Sequence, residues 1–308
     1  MKFFIMGGTG FIGSSLIRHL FKKGHEVTAL ARSAAKAKNL PPGINLIEGD
    51  PLGPGQWQKE AARANVIVNL VGRPIMTRWT KTARREIMKT RVISTRMAVR
   101  AIPENQAHGI TLINANAAGY YGFTKDNVVT EESPAGRGFL AETAKSWQAE
   151  AEVAVEKGAR VVIARLGAII GRQGGALAKM LPSFQYGLGG RLGSGRQWFP
   201  WMHIHDLCRA VLFVAVETEI SGAVNMCSPN PVTNIELTRT LAGELRRPAI
   251  LPVPGFMLKL AVGGAAEIAL EGQRMVPGVL ERHGFDFDFP TLEEALRDLL
   301  KRSEDDRS

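Results

Sequence analysis

Short apolar runs and longer stretches with a helical period alternate through the first two-thirds of the chain. The runs are Phe3 to Met6, Val27 to Ala31, Ile44 to Ile47, Val66 to Val71, Ile110 to Asn114 and Val161 to Leu166. Each has the length of a strand buried on both faces. Between the first two, Ile12, Leu16, Ile17 and Leu20 share one helix face, and Gly24 stops that helix. Longer helices are predicted from about Thr80 to Ala101 and from about Leu140 to Lys157, the second ended by Gly158. The alternation predicts an α/β fold, a doubly wound parallel sheet covered on both faces.

From Gly171 the pattern changes. Gly174-Gly175 and the run Gly187 to Gly195 are glycine-dense, and Gln197 to Leu207 carries two tryptophans and two histidines. This composition suits a mobile wall over a cleft better than plain core. Asp206 is placed to cap a helix from Leu207 to Val216, and an apolar strand ends at Cys227. Beyond Pro229, Thr233-Asn234-Ile235-Glu236 and Thr291-Leu292-Glu293-Glu294 each read as a capping box. The tail after Arg302 is short, polar and expected to fray. No internal repeat or long linker is present.

The first strand runs into Gly7-Gly8-Thr9-Gly10-Phe11-Ile12-Gly13. Glycines at a strand-to-helix turn are the context of a dinucleotide fingerprint. They permit the tight turn, close approach to a pyrophosphate and close helix–strand packing, while the helix start presents N–H groups to the anion. About 20 residues further on, NAD binders carry an acid for the ribose hydroxyls. Here Ala31 ends the second strand and Arg32 follows, with Ser33, Lys36 and Lys38 nearby. A guanidinium suits a 2′-phosphate, so NADP(H) is favoured over NAD(H). Ligands in such sheets bind beyond the carboxyl ends of the strands, which singles out Asp50, Leu70 to Gly72, Asn114 to Gly122 and Leu166 to Gly171. Residues 1–170, joined by about 203–228, read as the dinucleotide-binding core, and 171–308 as a smaller mixed substrate-side region.

Composition narrows the partners. The 308 residues carry a net charge of +10, but the cations form no aromatic-interleaved stripe, so nucleic acid is not expected. The main basic knots are the Arg32 loop and Arg84-Arg85 with Lys81 and Lys89. A basic surface also draws an anionic cofactor or substrate. Cys208 and Cys227 lie in apolar segments without disulfide or metal-ligand spacing, so no metal is expected and a reducing cytoplasm fits. No apolar run reaches membrane-spanning length; Phe256 to Leu270 comes nearest, but Lys259 and Glu267 interrupt it. No membrane partner is expected, and the first strand begins too early to leave room for a signal peptide.

Gly7, Gly10 and Gly13, with Leu70-Val71-Gly72 and Tyr120-Tyr121-Gly122, resemble the layout of extended short-chain dehydrogenase/reductases. More narrowly, the chain resembles their atypical epimerase-family branch. That likeness rests on Gly7 to Gly13, Gly119 to Gly122, Phe139-Leu140-Ala141, Leu188 to Asp206, and Leu270 to Arg274 through Pro277. The branch's C-terminal module of unknown function corresponds to about Pro252 to Leu300. The resemblance implies a Rossmann-type core that binds NADP(H). In it Thr9, Gly10, Phe11, Ile12 and Arg32 touch the phosphates, Leu70 and Val71 line the cofactor, and Leu166 approaches the nicotinamide end. Asp50 falls where extended members contact the adenine, and Glu86 with Arg91 matches a Glu/Arg pair of the branch. Extended members also often dimerise through the long helices after the fourth and fifth strands.

The family's acid–base residues are absent. Working members use a Ser, a Tyr and a Lys four residues after the Tyr. Here the corresponding helix reads Phe139-Leu140-Ala141-Glu142-Thr143-Ala144-Lys145, and the serine position falls within Asn116-Ala117-Ala118. Candidate substitutes are Tyr121 near the cleft, Asn116 as a hydrogen-bond donor and His203 as a proton carrier near pH 7. Arg172, Lys179 and Arg191 are candidate anion partners. Two readings follow: an NADP(H)-dependent epimerase-like oxidoreductase acting on a small polar, carbonyl or anionic substrate, or a non-catalytic NADP(H)-binding regulator or scaffold.

Overall fold

Along β1 (Lys2–Met6) the residues Phe3 to Met6 are all buried, because helices cover both faces of its sheet. The computed structural model describes residues 1–37, 40–104 and 109–301; Lys38, the Lys36 side chain and the tail from Arg302 lie outside the described residues. The chain continues through α1 (Phe11–Lys22), β2 (Glu26–Ala31), β3 (Asn45–Glu48), α2 (Trp57–Ala61), β4 (Val66–Asn69), α3 (Lys81–Ala101), β5 (Thr111–Ala117), β6 (Val128–Val129), α4 (Phe139–Glu156) and β7 (Arg160–Leu166). Then come β8 (Ala168–Gly171), α5 (Gly175–Gln185), β9 (Trp198–Phe199), β10 (Trp201–His203), α6 (Ile204–Val216) and β11 (Gly222–Met226). The last part holds β12 (Val232–Thr233), α7 (Asn234–Leu245), α8 (Gly255–Val262), α9 (Glu267–Leu270), β13 (Arg274–Met275), α10 (Gly278–Arg282) and α11 (Leu292–Leu300).

Seven strands form one parallel sheet in the order β11-β7-β5-β4-β1-β2-β3. This is the Rossmann-type, doubly wound arrangement. The order reverses between β1 and β4, so the ligand crevice opens beyond the C-terminal ends of those two strands. On one face Phe3, Ile5, Val66 and Val68 pack under α1 and α6. On the other, Phe4, Met6 and Ile67 pack under α2, α3 and α4.

Several elements differ from the sequence reading. Strand β4 stops at Asn69, not Val71, because its neighbour β1 ends at Met6 and Leu70 N–H bonds the Met6 carbonyl as the pairing finishes. Strand β5 runs on to Ala117 because β7 pairs with it along its whole length. The stretch expected as a wall of loop from Gly171 contains α5, which buries Leu177 and Phe184. Helix α6 begins at Ile204 and its N-cap is His203, not Asp206. The buried Asp206 carboxylate instead accepts the N–H groups of Asp288 and Phe289, at 3.1 and 2.9 Å, and so fastens the C-terminal segment to α6.

That segment closes back on the core twice. β13 pairs with β6 beyond the end of β5, and α11 packs with α5 and α7 around Leu177, Trp201, Leu241 and Leu296. Both expected capping boxes form, at Thr233/Glu236 and Thr291/Glu294. Replacing Thr291 with Ala removes one of them and is expected to lower stability by about 1 kcal/mol. Urea denaturation would show this as a lower midpoint at unchanged slope. A midpoint within error of the parent would mean that packing alone holds the start of α11.

Candidate functional site

The turn after β1 is built by close backbone approach. Gly7 has φ +80°, and a Cβ there would stand 3.0 Å from the Leu70 carbonyl carbon. A Cβ on Gly13 would overlap the Gly7 carbonyl oxygen. Gly10 caps α1 without a side-chain hydrogen bond, and the first turn of α1 holds no acid. The N–H groups at the helix start, with the positive end of its dipole, are thus left facing the crevice. Thr9 and Gly10 are exposed there. The Phe11 ring packs against Gly171 and Gly174, where any Cβ would collide with it, so the turn between β8 and α5 braces the helix start.

The neighbouring strand ends complete the crevice. Leu70, Val71 and Gly72 leave β4 beside Gly7. The Arg91 guanidinium lies against Gly72, 3.1 Å from where a Cβ would be. It donates to the carbonyls of Arg73 and Ile87, both at 3.0 Å, and its burial lowers its pKa to about 10. Glu86 lies half-buried on the same helix, α3. Ala31 is buried at the end of β2, and Arg32 stands exposed next to it. Glu48, opposite Ala31 in register, accepts the Ala34 N–H at 2.6 Å and shapes the turn after Arg32. Asp50 uses one carboxylate oxygen on its own turn, accepting the Leu52 N–H at 3.0 Å. Leu166 ends β7 opposite Ala117.

A buried polar cluster beneath these strand ends escaped the sequence reading. Asn69 donates to Thr95 Oγ1 at 3.0 Å and to Asn114 Oδ1 at 2.9 Å, Trp147 Nε1 donates to Thr95 at 2.8 Å, and the Val71 N–H bonds the Asn69 side-chain oxygen at 3.2 Å. The signal in the chain was a polar residue inside one apolar run, Asn69, and another at the end of a second, Asn114.

The candidate acid–base residues are occupied by structure. Tyr121 is buried, donates its hydroxyl proton to Asn225 Oδ1 at 2.6 Å and accepts from Arg165 Nη1 at 2.8 Å. Desolvation pushes its pKa up to about 12 in spite of the guanidinium. Arg165 stacks 3.6 Å over the Tyr120 ring and bonds Gln148, while Glu131 accepts the N–H groups of Asn225 and Val279. Tyr121 is therefore a member of a network joining the turn after β5 to β7, β11 and α10. Asn116 donates to the Ala144 carbonyl and accepts the Ala117 N–H. Lys145 pairs with Glu142 at 2.6 Å, and four residues before it stands the buried Ala141. Arg172 donates to the Lys301 carbonyl, Arg191 to the Gly193 carbonyl, and Lys179 is exposed on α5.

His203 is the buried N-cap of α6. Its Nδ1 accepts the His205 N–H at 3.0 Å, its Nε2 lies 3.4 Å from Asp298, and its ring packs 4.1 Å from that of Phe289. An accepting Nδ1 requires the neutral ring, and burial lowers the pKa to about 4. The ring is directed at α11, so the role expected of it as a proton carrier near pH 7 does not fit this placement.

Residues 3–227 match the model of the NAD dependent epimerase/dehydratase family, and residues 253–299 match a domain of unknown function, DUF1731. The chain belongs to the NAD dependent epimerase/dehydratase family. It is 36% identical over 304 residues to the chloroplastic "Epimerase family protein SDR39U1 homolog" of Arabidopsis thaliana, covering 96% of this chain and 86% of the relative. It is 35% identical over 303 residues to "Epimerase family protein YfhF" of Bacillus subtilis, covering 97% and 98%. Human epimerase family protein SDR39U1 (isoform 2), solved with NADPH, superposes with a TM-score of 0.86 at 31% identity over 97% of this chain and 99% of that one. UDP-glucose 4-epimerase from Thermus thermophilus, solved with NAD, shares the fold at 18% identity and a TM-score of 0.77, over 97% of each chain.

The His203 geometry makes stability depend on pH. Its folded pKa lies below the ordinary 6.5, so as pH falls the unfolded chain takes up the proton first. This contribution is fully present above pH 6.5 and is lost progressively down to about pH 4, amounting to roughly 3 kcal/mol. His203→Asn keeps a capping acceptor and is expected to flatten that part of the stability–pH curve, measured by urea denaturation at several pH values. Parallel curves for the two proteins would show that the ring titrates alike in the folded and unfolded chain.

Proposed function

We propose, on the premise of that family membership, that the chain binds NADP(H) across the Gly7–Gly13 turn and acts as an epimerase-like oxidoreductase on a small polar or carbonyl substrate. The observation that carries the reading is the turn itself. Gly7 and Gly13 allow a contact no side chain could enter, and the N–H groups it exposes have no acidic neighbour in the first turn of α1. The human relative solved with NADPH supports the same assignment.

In this reading the start of α1, from Thr9 to Ile12, holds the pyrophosphate, and Arg32 meets the 2′-phosphate beside the buried Ala31. Leu70, Val71 and Gly72 line the middle of the crevice, where Arg91 adds a buried positive charge. Glu86 lies on the same helix. Leu166 bounds the nicotinamide end and Asp50 the adenine end. The nicotinamide supplies hydride transfer when bound, and the protein contributes orientation and electrostatics. No tyrosine of α4 supplies the proton, because Ala141 stands where the resemblance places the family's tyrosine. The buried thiols of Cys208 and Cys227 suit a reducing compartment such as the cytoplasm. A homodimer through α3 and α4 accords with their exposed faces.

One observation favours a second reading, a non-catalytic NADP(H)-binding regulator: Tyr121, Asn116 and His203 each spend their polar atoms on structure. Titrating the protein with NADPH and then with a panel of carbonyl compounds and sugar nucleotides separates the two. Cofactor oxidation by any panel member establishes the enzyme. Tight NADPH binding with no oxidation moves the assignment to the regulator.

Arg32→Ala is expected to weaken NADPH binding by about 10- to 100-fold, the worth of one charge-assisted phosphate contact, and to leave NADH nearly unchanged. Fluorescence titration reads both constants. Equal losses for the two cofactors would sink the assignment of Arg32 to the 2′-phosphate.

A further inference from the structure

A helix that is apolar on all sides normally lies in a core or against lipid. Helix α8 has that composition, broken only by Lys259, yet none of its residues is fully buried, and only its last residue, Val262, packs on a core cluster. Phe256, Met257 and Leu260 are 71%, 51% and 78% exposed. Ile250 and Leu251 precede them on the surface, and the Leu251 carbonyl touches Gly190, which brings Tyr186 and Leu188 alongside. A bridge between Leu192 and Val253 holds the two segments together. The two linked segments, 186–192 and 250–260, carry seven large apolar side chains, each about half exposed or more. A soluble monomer rarely exposes a contiguous apolar patch above ~600 Å² without a use for it.

Cations border the patch at both ends. Arg246 and Arg247 stand exposed just before Ile250. At the other end α8 leads through Gly263 and Gly264 onto the start of α3. The Arg78 side chain lies 3.6 Å from where a Gly263 Cβ would be, and the Arg84 guanidinium 3.2 Å from that of Gly264. Arg84 spans the rings of Trp79 and Phe139, at 5.5 and 5.3 Å, with Lys81 and Arg85 exposed beside it. The first turn of α3 contains no acid. Cations at a helix N-terminus oppose its dipole, so the helix gains nothing from them there. Glu86, Glu244, Glu267 and Glu271 are the acids adjacent in the chain, and Glu244 pairs with Arg297.

We propose that this face docks the protein on the surface of an anionic lipid bilayer. The apolar side chains enter the boundary of headgroups and acyl chains, and the flanking Arg and Lys meet the phosphates. No helix among the described residues is long and apolar enough to cross a membrane, and docking requires none. A second copy fits less well at this face, because the exposed cations that border it would meet their like-charged copies. A polynucleotide would meet the cations but leave the seven apolar side chains in water.

Co-sedimentation of the full chain with vesicles tests this. Binding is expected to vesicles of phosphatidylcholine mixed with phosphatidylglycerol, to weaken as salt rises, and to be slight with phosphatidylcholine alone. Phe256→Ser with Leu260→Ser, and separately Lys81→Glu with Arg85→Glu, are each expected to reduce partitioning more than about 10-fold. All four residues are exposed, so the thermal midpoint is expected not to fall below the parent's. Failure to sediment with anionic vesicles, or undiminished binding by both variants, overturns the proposal. So does a dimer in analytical ultracentrifugation that Phe256→Ser with Leu260→Ser dissociates, because a second copy then covers the face.

Discussion

At Gly7 the backbone turns at φ +80° while the Leu70 carbonyl oxygen lies 3.1 Å from where a Cβ would stand, and Gly13 comes closer still from the other side. This three-way approach of β1, α1 and the end of β4 sets the geometry of the crevice. A methyl group at Gly13 would push α1 away from the turn, and with it Phe11, whose ring locks the turn between β8 and α5; one at Gly7 would press on the end of β4. The substrate-side elements and the helix start are thereby one mechanical unit, although about 160 residues separate them in the chain.

The polar groups beneath the crevice divide by function along the same line. Asn69, Thr95, Asn114 and Trp147 satisfy one another and leave the strand ends rigid. Arg165 is a cation buried among Tyr120, Tyr121 and Gln148, and removing a partner from such a group costs several kcal/mol. That expense explains why Tyr121 makes a poor acid or base. Its hydroxyl cannot lose a proton without first breaking the bond to Asn225, and burial already opposes the phenolate.

Local features of the fold were legible because local physics produces them. The apolar runs became the sheet, Gly24 and Gly158 took positive φ after their helices, and the capping boxes at Thr233 and Thr291 closed. Positions that depend on distant partners were not legible. Tyr121 meets Asn225 across 104 residues, and Asp206 bonds Asp288 and Phe289 across 82 and 83. Asp206 next to a helix start reads as a cap until the C-terminal segment arrives to claim it. Helix α5 hid for the opposite reason, since glycines at its start outweighed the apolar spacing of Leu177 and Phe184.

The excess positive charge is distributed by the same logic. Arg91 sits partly desolvated beside the crevice, held by the carbonyls of Arg73 and Ile87 and by the Trp147 ring, and keeps a positive charge there. Arg78, Lys81, Arg84 and Arg85 stand at a helix start that would prefer acids, beside a helix that would prefer to be covered. Each arrangement runs against what the isolated fold would choose, and such local conflicts concentrate where a protein meets something else. Between the two conflicts lie Trp79 and Ile87, whose cluster with Ala265 joins α3 to the C-terminal segment. Val262, the last residue of α8, packs on the same cluster, so α8 and the helix that carries Glu86 and Arg91 share packed side chains.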